Sequence, residues 1–358
     1  MGKRDYSMLG EDARRAVESG LAAAEWYHTD IPRKEMKDLM QRSNGPAIRD
    51  TIILFGSMAL FAVIGIYLWP TAWSIPFWLA YGVLYGSAMD SRWHECSHGT
   101  AFKTRWMNDV IYQIASFCMV RNPHTWRWSH ARHHTDTVIV GRDPEIAIMR
   151  PTEFAKLVLN VFGILDSISG WLRMLKNASG QIDAEEATWI PETEYHKVIR
   201  VARIWVLIYA ATIGLAVWMQ SILPLMVIGL PRLYGAWHHV MTGLLQHGGL
   251  ADNVIDHRLN SRTVYMNPVS RFIYWNMNYH VEHHMFPMVP YHSLPELHAK
   301  IKHDLPTPNP SIPAALAEMV PALWRQMKNE DYFLLRALPA SAKPYREEFH
   351  TAALGAAE

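Results

Sequence analysis

The sequence predicts an all-α integral membrane protein. Four transmembrane helices form two hairpins, and a cytosolic helical cap carries three histidine clusters. Two observations point there. Apolar residues segregate into long runs although the mean hydropathy of −0.06 looks almost soluble. The 19 histidines among 358 residues gather at the edges of those runs.

The elements follow in chain order. Residues 1–50 are polar and charged, helical in part from Asp12 to Glu25, and form a cytosolic N-terminal segment. Thr51–Trp69 offers 19 residues without a charge. At about 1.5 Å per residue that is one bilayer crossing. Pro70–Trp73 turns the chain and Ser74–Met89 runs back. Asn108–Val120 is apolar but short, which suits a buried or re-entrant segment. Phe154–Met174 is amphipathic and fits the interface plane. Val201–Met219 and Ser221–Val240 make the second hairpin. Residues 51–300 thus form the membrane domain, and residues 301–358 a cytosolic tail. That tail has a proline-rich linker from Pro306 to Pro313 and an amphipathic helix from Pro313 to Met327.

Charge sets the topology. The hairpin tips, Pro70–Trp73 and Gln220–Ser221, hold no Lys or Arg, and only Arg203 and Arg232 fall inside the spans. The positive-inside rule therefore puts both termini and every histidine cluster in the cytoplasm, with a bacterial inner membrane as the expected location. Fifteen Trp and fifteen Tyr suit a membrane–water boundary. The net charge of +1 and the lack of a basic patch exclude a nucleic-acid partner. Cys96 and Cys118 cannot make a disulfide framework, so a reducing compartment is expected. The first residues lack the basic-then-apolar layout of a signal peptide. Buried core helices of a soluble protein are the rival reading, and uncharged hairpins of this length argue against it.

The histidines repeat one spacing. His94 and His98 stand four apart; His130, His133 and His134 follow the order HxxHH, and so do His280, His283 and His284. Residues three or four apart share a helix face, roughly 5–6 Å along the axis, so each cluster aims two or three imidazoles at one place. Eight imidazoles exceed what one metal takes, and the count favours two metals with about four ligands each. His247, in Leu245-Gln-His247-Gly-Gly, is a ninth candidate. Iron suits oxygen chemistry at such a pair, while zinc stays open at this point. His28, His196, His292, His298, His303 and His350 read as ordinary surface or hydrogen-bonded residues; His124, His238, His239 and His257 are left undecided.

The order HxxxH, HxxHH, HxxHH with four spans around it resembles the membrane fatty-acid desaturase and hydroxylase superfamily. The likeness covers roughly Thr51 to His298, nearest to bacterial desaturase-like oxygenases of small polar compounds, such as the rhizobitoxine desaturase and the rhizopine-catabolism oxygenase. It implies two iron ions at the cytosolic face, held by His94, His98, His130, His133, His134, His280, His283 and His284. His247 is similar to a separate ligand that the family places between its second and third boxes. The implied reaction is O₂-dependent oxidation of an unactivated C–H bond, by desaturation or hydroxylation. Asp143, Glu95, Asp136 and Glu282 are candidate partners for the outer ring nitrogens, and Asn276 resembles a family asparagine near the metals.

The electrons must come from elsewhere, because no nucleotide-binding glycine motif and no fused cytochrome or ferredoxin region is evident. Arg121, Arg127, Arg132 and Arg142 flank the second box. They either receive an acidic ferredoxin or rubredoxin or are ordinary positive-inside charge. Arg232 lies midway along the fourth span, where an ion needs a cavity or a partner, and is read as a substrate-binding residue. The run Asp256–Arg262 is expected to close the same cavity. A metal transporter or sensor with a His-lined site is the competing class. Transporters place ligands near the bilayer middle, whereas these clusters stand just outside the spans.

Overall fold

The computed structural model describes residues 4–346, so His350 lies outside the described residues. The regular elements among the described residues are helices, with only the isolated bridges Thr263–Tyr279 and Val264–Asn309 besides. Two of these helices are long and apolar enough to cross a membrane: Gly45–Tyr67, and the one ending at Trp218. Their outward faces carry exposed apolar side chains, among them Ile52, Leu60 and Val63 on the first and Leu207, Ile213 and Val217 on the second. Such faces are unfavourable in water unless something covers them.

The return segments differ from the sequence expectation in an informative way. After Gly45–Tyr67 the chain turns and climbs back through Ile75–Val83, a π-helical turn over Leu84–Ala88, and Met89–His98. This is one continuous rod, and its buried charged half carries the first histidine pair. Ser221–Val240, expected as a straight fourth span, is broken into Leu223–Val227, Pro231–Gly235 and Trp237–His247. The reason is local. Gly229 sits at φ +94° and Pro231 follows two residues later, so the backbone cannot continue one helix. The amphipathic stretch beginning at Phe154 is likewise two helices, Phe154–Leu159 and Ile164–Ala178, and the second packs on Tyr195–Trp218.

The rod and the broken segment meet backbone to backbone. A Cβ on Gly235 would lie 1.7 Å from the Gly82 carbonyl oxygen, and one on Gly86 would lie 2.8 Å from that of Pro231. The π turn is stitched to the same segment: Ser87 Oγ donates to the Gly235 carbonyl at 2.6 Å and accepts from the His239 N–H at 3.0 Å. π turns inside helices often mark functional sites, and this one faces the site described below.

Buried charges pin the cap to the rods. Asp50, at the base of Gly45–Tyr67, accepts from Trp275 Nε1 at 3.0 Å and Tyr291 Oη at 2.8 Å. Arg92 donates to the Ile273 carbonyl at 2.6 Å. Arg258 bridges Asp256 at 2.7 Å and Asp304 at 3.1 Å, and lies 3.7 Å over the Tyr27 ring. Arg262 donates to the carbonyls of Leu245 and Gly248 at 2.7 and 3.0 Å. The run Asp256–Arg262 is therefore a buried clasp between the N-terminal segment and Trp237–His247, which corrects its expected role as a cavity wall. The last described helix, Ile312–Lys328, packs on Trp237–His247 through Ala315, Met319 and Leu323.

Close glycine contact makes a direct prediction. Gly235→Ala is expected to destabilise the protein by at least the roughly 1–3 kcal/mol of an overpacked core, because backbone rather than a flexible side chain blocks the new methyl. Thermal unfolding in detergent checks this against Gly56→Ala, whose Cβ meets nothing within 4 Å and whose midpoint is expected to stay unchanged.

Candidate metal centre

Three helices and the end of a fourth bring nine imidazoles to one place. Met89–His98 contributes His94 and His98; Pro123–Thr135 contributes His130, His133 and His134; Trp237–His247 ends on His247; His280–Met285 contributes His280, His283 and His284. Pro123 opens the second of these helices, where its fixed φ and missing N–H cost nothing, and Asn122 caps it by accepting from the His124 N–H. The spacing then puts each set on one face.

The nitrogens separate into two groups, each within 4.8 Å internally. One is His94, His98, His130, His134 and His283; the other is His133, His247, His280 and His284. Within the first, His94 Nε2 lies 2.7 Å from His283 Nε2, and His130 Nε2 lies 3.1 Å from both His98 Nε2 and His134 Nε2. Within the second, His280 Nε2 is 3.1 Å from His247 Nε2 and 3.0 Å from His284 Nε2. Those nine histidines are the ones the sequence singled out, divided five and four rather than evenly.

Neutral imidazoles can share few hydrogen bonds among themselves, since each has a single N–H. Lone pairs crowded at these distances fit a cation better than one another. Burial keeps the rings neutral and ready to donate: it drives His98 down to about 4 and His247 to about 3. His133 is the exception. Burial opposes its charged form, but the Asp143 carboxylate outweighs burial and shifts it upward.

The outer nitrogens have fixed partners. His133 Nδ1 donates to Asp143 Oδ2 at 2.8 Å, and that oxygen also accepts from the Val138 N–H at 2.7 Å. Val138 sits at φ +56°, unusual for a β-branched residue, so the loop is bent to bring the carboxylate in. His130 Nδ1 pairs with Glu145 Oε2 at 3.0 Å, while Ser129 Oγ donates to the other oxygen at 2.8 Å. Burial pushes the Glu145 carboxyl up to about 7, against the pull of His133. His284 Nδ1 faces Thr137 Oγ1 at 3.2 Å, and His247 Nδ1 donates to the Asn260 carbonyl at 2.7 Å. A ring so oriented presents its Nε2 inward.

Among the candidate partners, Asp143 alone reaches one of the nine rings. Glu95 accepts from Thr100 Oγ1 and the Tyr291 N–H, Asp136 binds Arg132 and Arg142, and Glu282 takes Thr263 Oγ1 and pairs with His298. Asn276 is a further correction. It sits at φ +59°, accepts from Arg271 and donates to the Tyr291 carbonyl, so it shapes a turn and touches no ring. Glu145, Thr137 and Asn260 escaped sequence reasoning. Only Glu145 left a signal, as the second acid of Asp143-Pro144-Glu145. His257 stacks between Trp26 and His284, with ring centroids 4.2 and 5.1 Å apart. The flanking arginines are largely neutralised, Arg121 by Asp90 and Arg127 by Asp109.

A cavity of about 370 Å³ is lined by His94 and His130 of the first group, His133 of the second, and Arg232. Trp126, Met174, Trp205 and Leu244 supply apolar wall, and Glu145, Asn122 and Gln246 supply polar groups.

Comparison with known proteins adds the following. The family model for fatty acid desaturase matches residues 67–314. A chloroplastic omega-3 fatty acid desaturase of Glycine max is 24% identical over 283 residues, 71% of this chain and 59% of its own. A ferredoxin-type chloroplastic sn-2 acyl-lipid omega-3 desaturase of Arabidopsis thaliana is 23% identical over 272 residues, 70% of this chain and 58% of its own. A cytochrome b5-type acyl-lipid omega-3 desaturase of the Arabidopsis thaliana endoplasmic reticulum is 23% identical over 318 residues, 81% of this chain and 79% of its own. The chain thus spans about three fifths of the length of those chloroplastic relatives.

If Asp143 fixes the His133 ring, Asp143→Asn should weaken metal binding by about 10- to 100-fold while the protein stays folded. Titration of metal-depleted protein with Fe(II) under anaerobic conditions measures this. An affinity equal to that of the unaltered protein would show the contact to be idle.

Proposed function

The chain belongs to the fatty acid desaturase family, and from that premise we propose that it is a membrane-bound non-haem di-iron oxidoreductase. It carries out O₂-dependent desaturation or hydroxylation of an unactivated C–H bond in a fatty acyl or small polar substrate. The observation that supports this most is the division of nine imidazoles into two nitrogen-only groups beside a cavity. His94, His98, His130, His134 and His283 would hold one iron, and His133, His247, His280 and His284 the other. A closed structural zinc site takes four ligands, whereas the first group offers five imidazoles, and nitrogen ligands with room for an open position suit iron oxygen chemistry.

When bound, the iron pair supplies the capacity to reduce O₂ and oxidise a C–H bond. The rest falls to the chain. Asp143, Glu145, Thr137 and the Asn260 carbonyl orient the rings; Trp93 and Trp126 wall the cavity and exclude water beside His94 and His130; and the wall holds one C–H bond in a fixed place. Desaturation turns two C–H bonds into an alkene and two waters, and hydroxylation yields one alcohol and one water. Either consumes one O₂, two electrons and two protons, so a separate electron donor is required. A ferredoxin or rubredoxin is our reading; the ferredoxin and cytochrome b5 named for the relatives supply the precedent.

We further propose four membrane crossings with the cap and both termini cytosolic. Ser74–Met89 and the broken run Ser221–Val240 would form the return legs, with His94, His98 and His247 on the cap side of them. A transporter is disfavoured because the histidines cluster at the buried ends of helices and not along a path through the spans.

Elemental analysis of protein purified in mild detergent should find about two irons per chain, and His133→Ala and His283→Ala should each lose iron and product formation together. One zinc and no iron would sink the di-iron assignment. Cysteine placed at Ala72 should react with an impermeant reagent from outside the cell, and cysteine at Ser7 only after permeabilisation. The reverse pattern would overturn the orientation.

A further inference from the structure

We infer that the cavity takes a compact carboxylate, whose anionic end pairs with Arg232 while its carbon skeleton lies toward His94, His130 and His133. The binding half of this stands on the cavity alone; the orientation toward the histidines rests on the oxidase reading above.

Arg232 is 1% exposed. Its Nη1 donates to the Gly86 carbonyl at 3.2 Å and to His239 Nε2 at 2.9 Å, and its buried Nε has no hydrogen-bond partner. Among the described residues it forms no ion pair. The carboxylates nearby are committed or remote. Asp90 is held by Arg121 at 2.7 Å and reaches Arg232 only through His239, whose Nδ1 lies 3.5 Å from it. Because His239 Nε2 accepts from the guanidinium, that ring carries its proton on Nδ1 and is neutral, so it relays position and cancels no charge. Arg173, also on the wall, is paired with Glu186 at 3.3 Å. Asp166, on the exposed first turn of Ile164–Ala178, also lines the cavity and is the carboxylate that most favours the Arg232 charge, but it stays beyond ion-pair distance and leaves room for an anion between them.

A buried cation without a counter-ion is strongly unfavourable, and the cost falls when an anion arrives. A carboxylate meets the guanidinium in its own plane with two hydrogen bonds, which a neutral head group cannot do. Size points the same way. The cavity's 370 Å³ stands near the lower end of the roughly 300–1,000 Å³ typical of small-molecule sites. Its wall mixes charged and amide groups with aromatic ones, whereas a long acyl chain needs a continuous apolar tunnel. The Gly163 backbone, at φ +66°, runs beside Arg232, where a side chain's Cβ would lie 3.4 Å from Nη1 and 2.9 Å from Ala236 Cβ.

Iron-loaded protein in detergent is tested by thermal unfolding with butyrate, 4-aminobutyrate, glutarate and L-glutamate. Butyramide serves as the uncharged control and palmitate as the long-chain control. A ligand that binds only the folded state raises the midpoint. At least one compact carboxylate should raise it and butyramide should not. Arg232→Gln should weaken that carboxylate by about tenfold or more at unchanged iron content, with Arg232→Lys in between. Stabilisation by palmitate alone, no shift with any compact carboxylate, or undiminished binding by Arg232→Gln overturns the inference. Should Arg232→Gln fail to fold, the panel on the unaltered protein still decides. Iron content and product analysis are separate readouts: protein without iron that still binds a carboxylate defeats the oxidase reading and leaves this one standing.

Discussion

Everything in this fold answers to one requirement: nine imidazoles must stay neutral and converge inside the protein. Burial secures neutrality for the rings of His130 and His280, whereas Asp143 outweighs it at His133. Convergence needs more. A neutral imidazole has one N–H, and where that proton sits decides which nitrogen is free to bind. The segment from Thr137 to Glu145 therefore works as a scaffold, with Asp143 and Glu145 setting the rings of His133 and His130. The clasp around Arg258 serves the same end from the other side. By holding Asp256 and Asp304 together it sets the loop whose Asn260 carbonyl takes the His247 proton. The buried ion pairs of the cap are better read as positioning than as stability, because burying two charges returns little net free energy.

The second constraint is how the helices end together. One continuous rod carries the first histidine pair inward, and the π turn over Leu84–Ala88 shifts its register so that Ser87 and Gly86 face the broken segment. Glycine at positions 82 and 235 lets the two backbones touch. The break at Gly229 and Pro231 then releases Trp237–His247 to point its last residue into the metal centre. A straight helix through this region would carry Arg232 and His247 along one fixed axis; the break lets Arg232 face the cavity while His247 joins the second imidazole group.

Much of this was legible in the sequence, and the reason is locality. Spacings of three and four on a helix report a shared face without knowledge of the rest, so the histidines could be named from eight residues in three short motifs, with His247 as the ninth. The apolar runs were equally local. What stayed hidden were contacts between distant parts of the chain. The Asn260 carbonyl leaves no side-chain signal, and Thr137 looks like any threonine after a histidine cluster. Glu95, Asp136 and Glu282 show the converse error, since an acid beside a histidine in sequence points to another face of the helix and finds other partners. The break in the fourth run was signalled by Gly229 and Pro231, but the long apolar stretch around them, interrupted only by Arg232, read more strongly as a span.

Chemistry and choice of substrate are held by separable parts of the molecule. The metal-binding nitrogens come from the cap, its loop and the cap-side ends of two helices, and this is the part that the family's histidine pattern describes. The far wall of the cavity comes from Ile164–Ala178, Tyr195–Trp218 and the broken segment, where no histidine pattern operates. A shared set of ligands therefore says how a C–H bond is oxidised and little about whose it is. Among the described residues the guanidinium on the far wall has no ion-paired carboxylate, and a neutral histidine steadies it. An acyl tunnel has no use for such a group at its depth, because every conformation of the chain would leave the charge unmet. A small anion meets it on binding, and the energy recovered there is available to hold the reacting carbon still against the histidines.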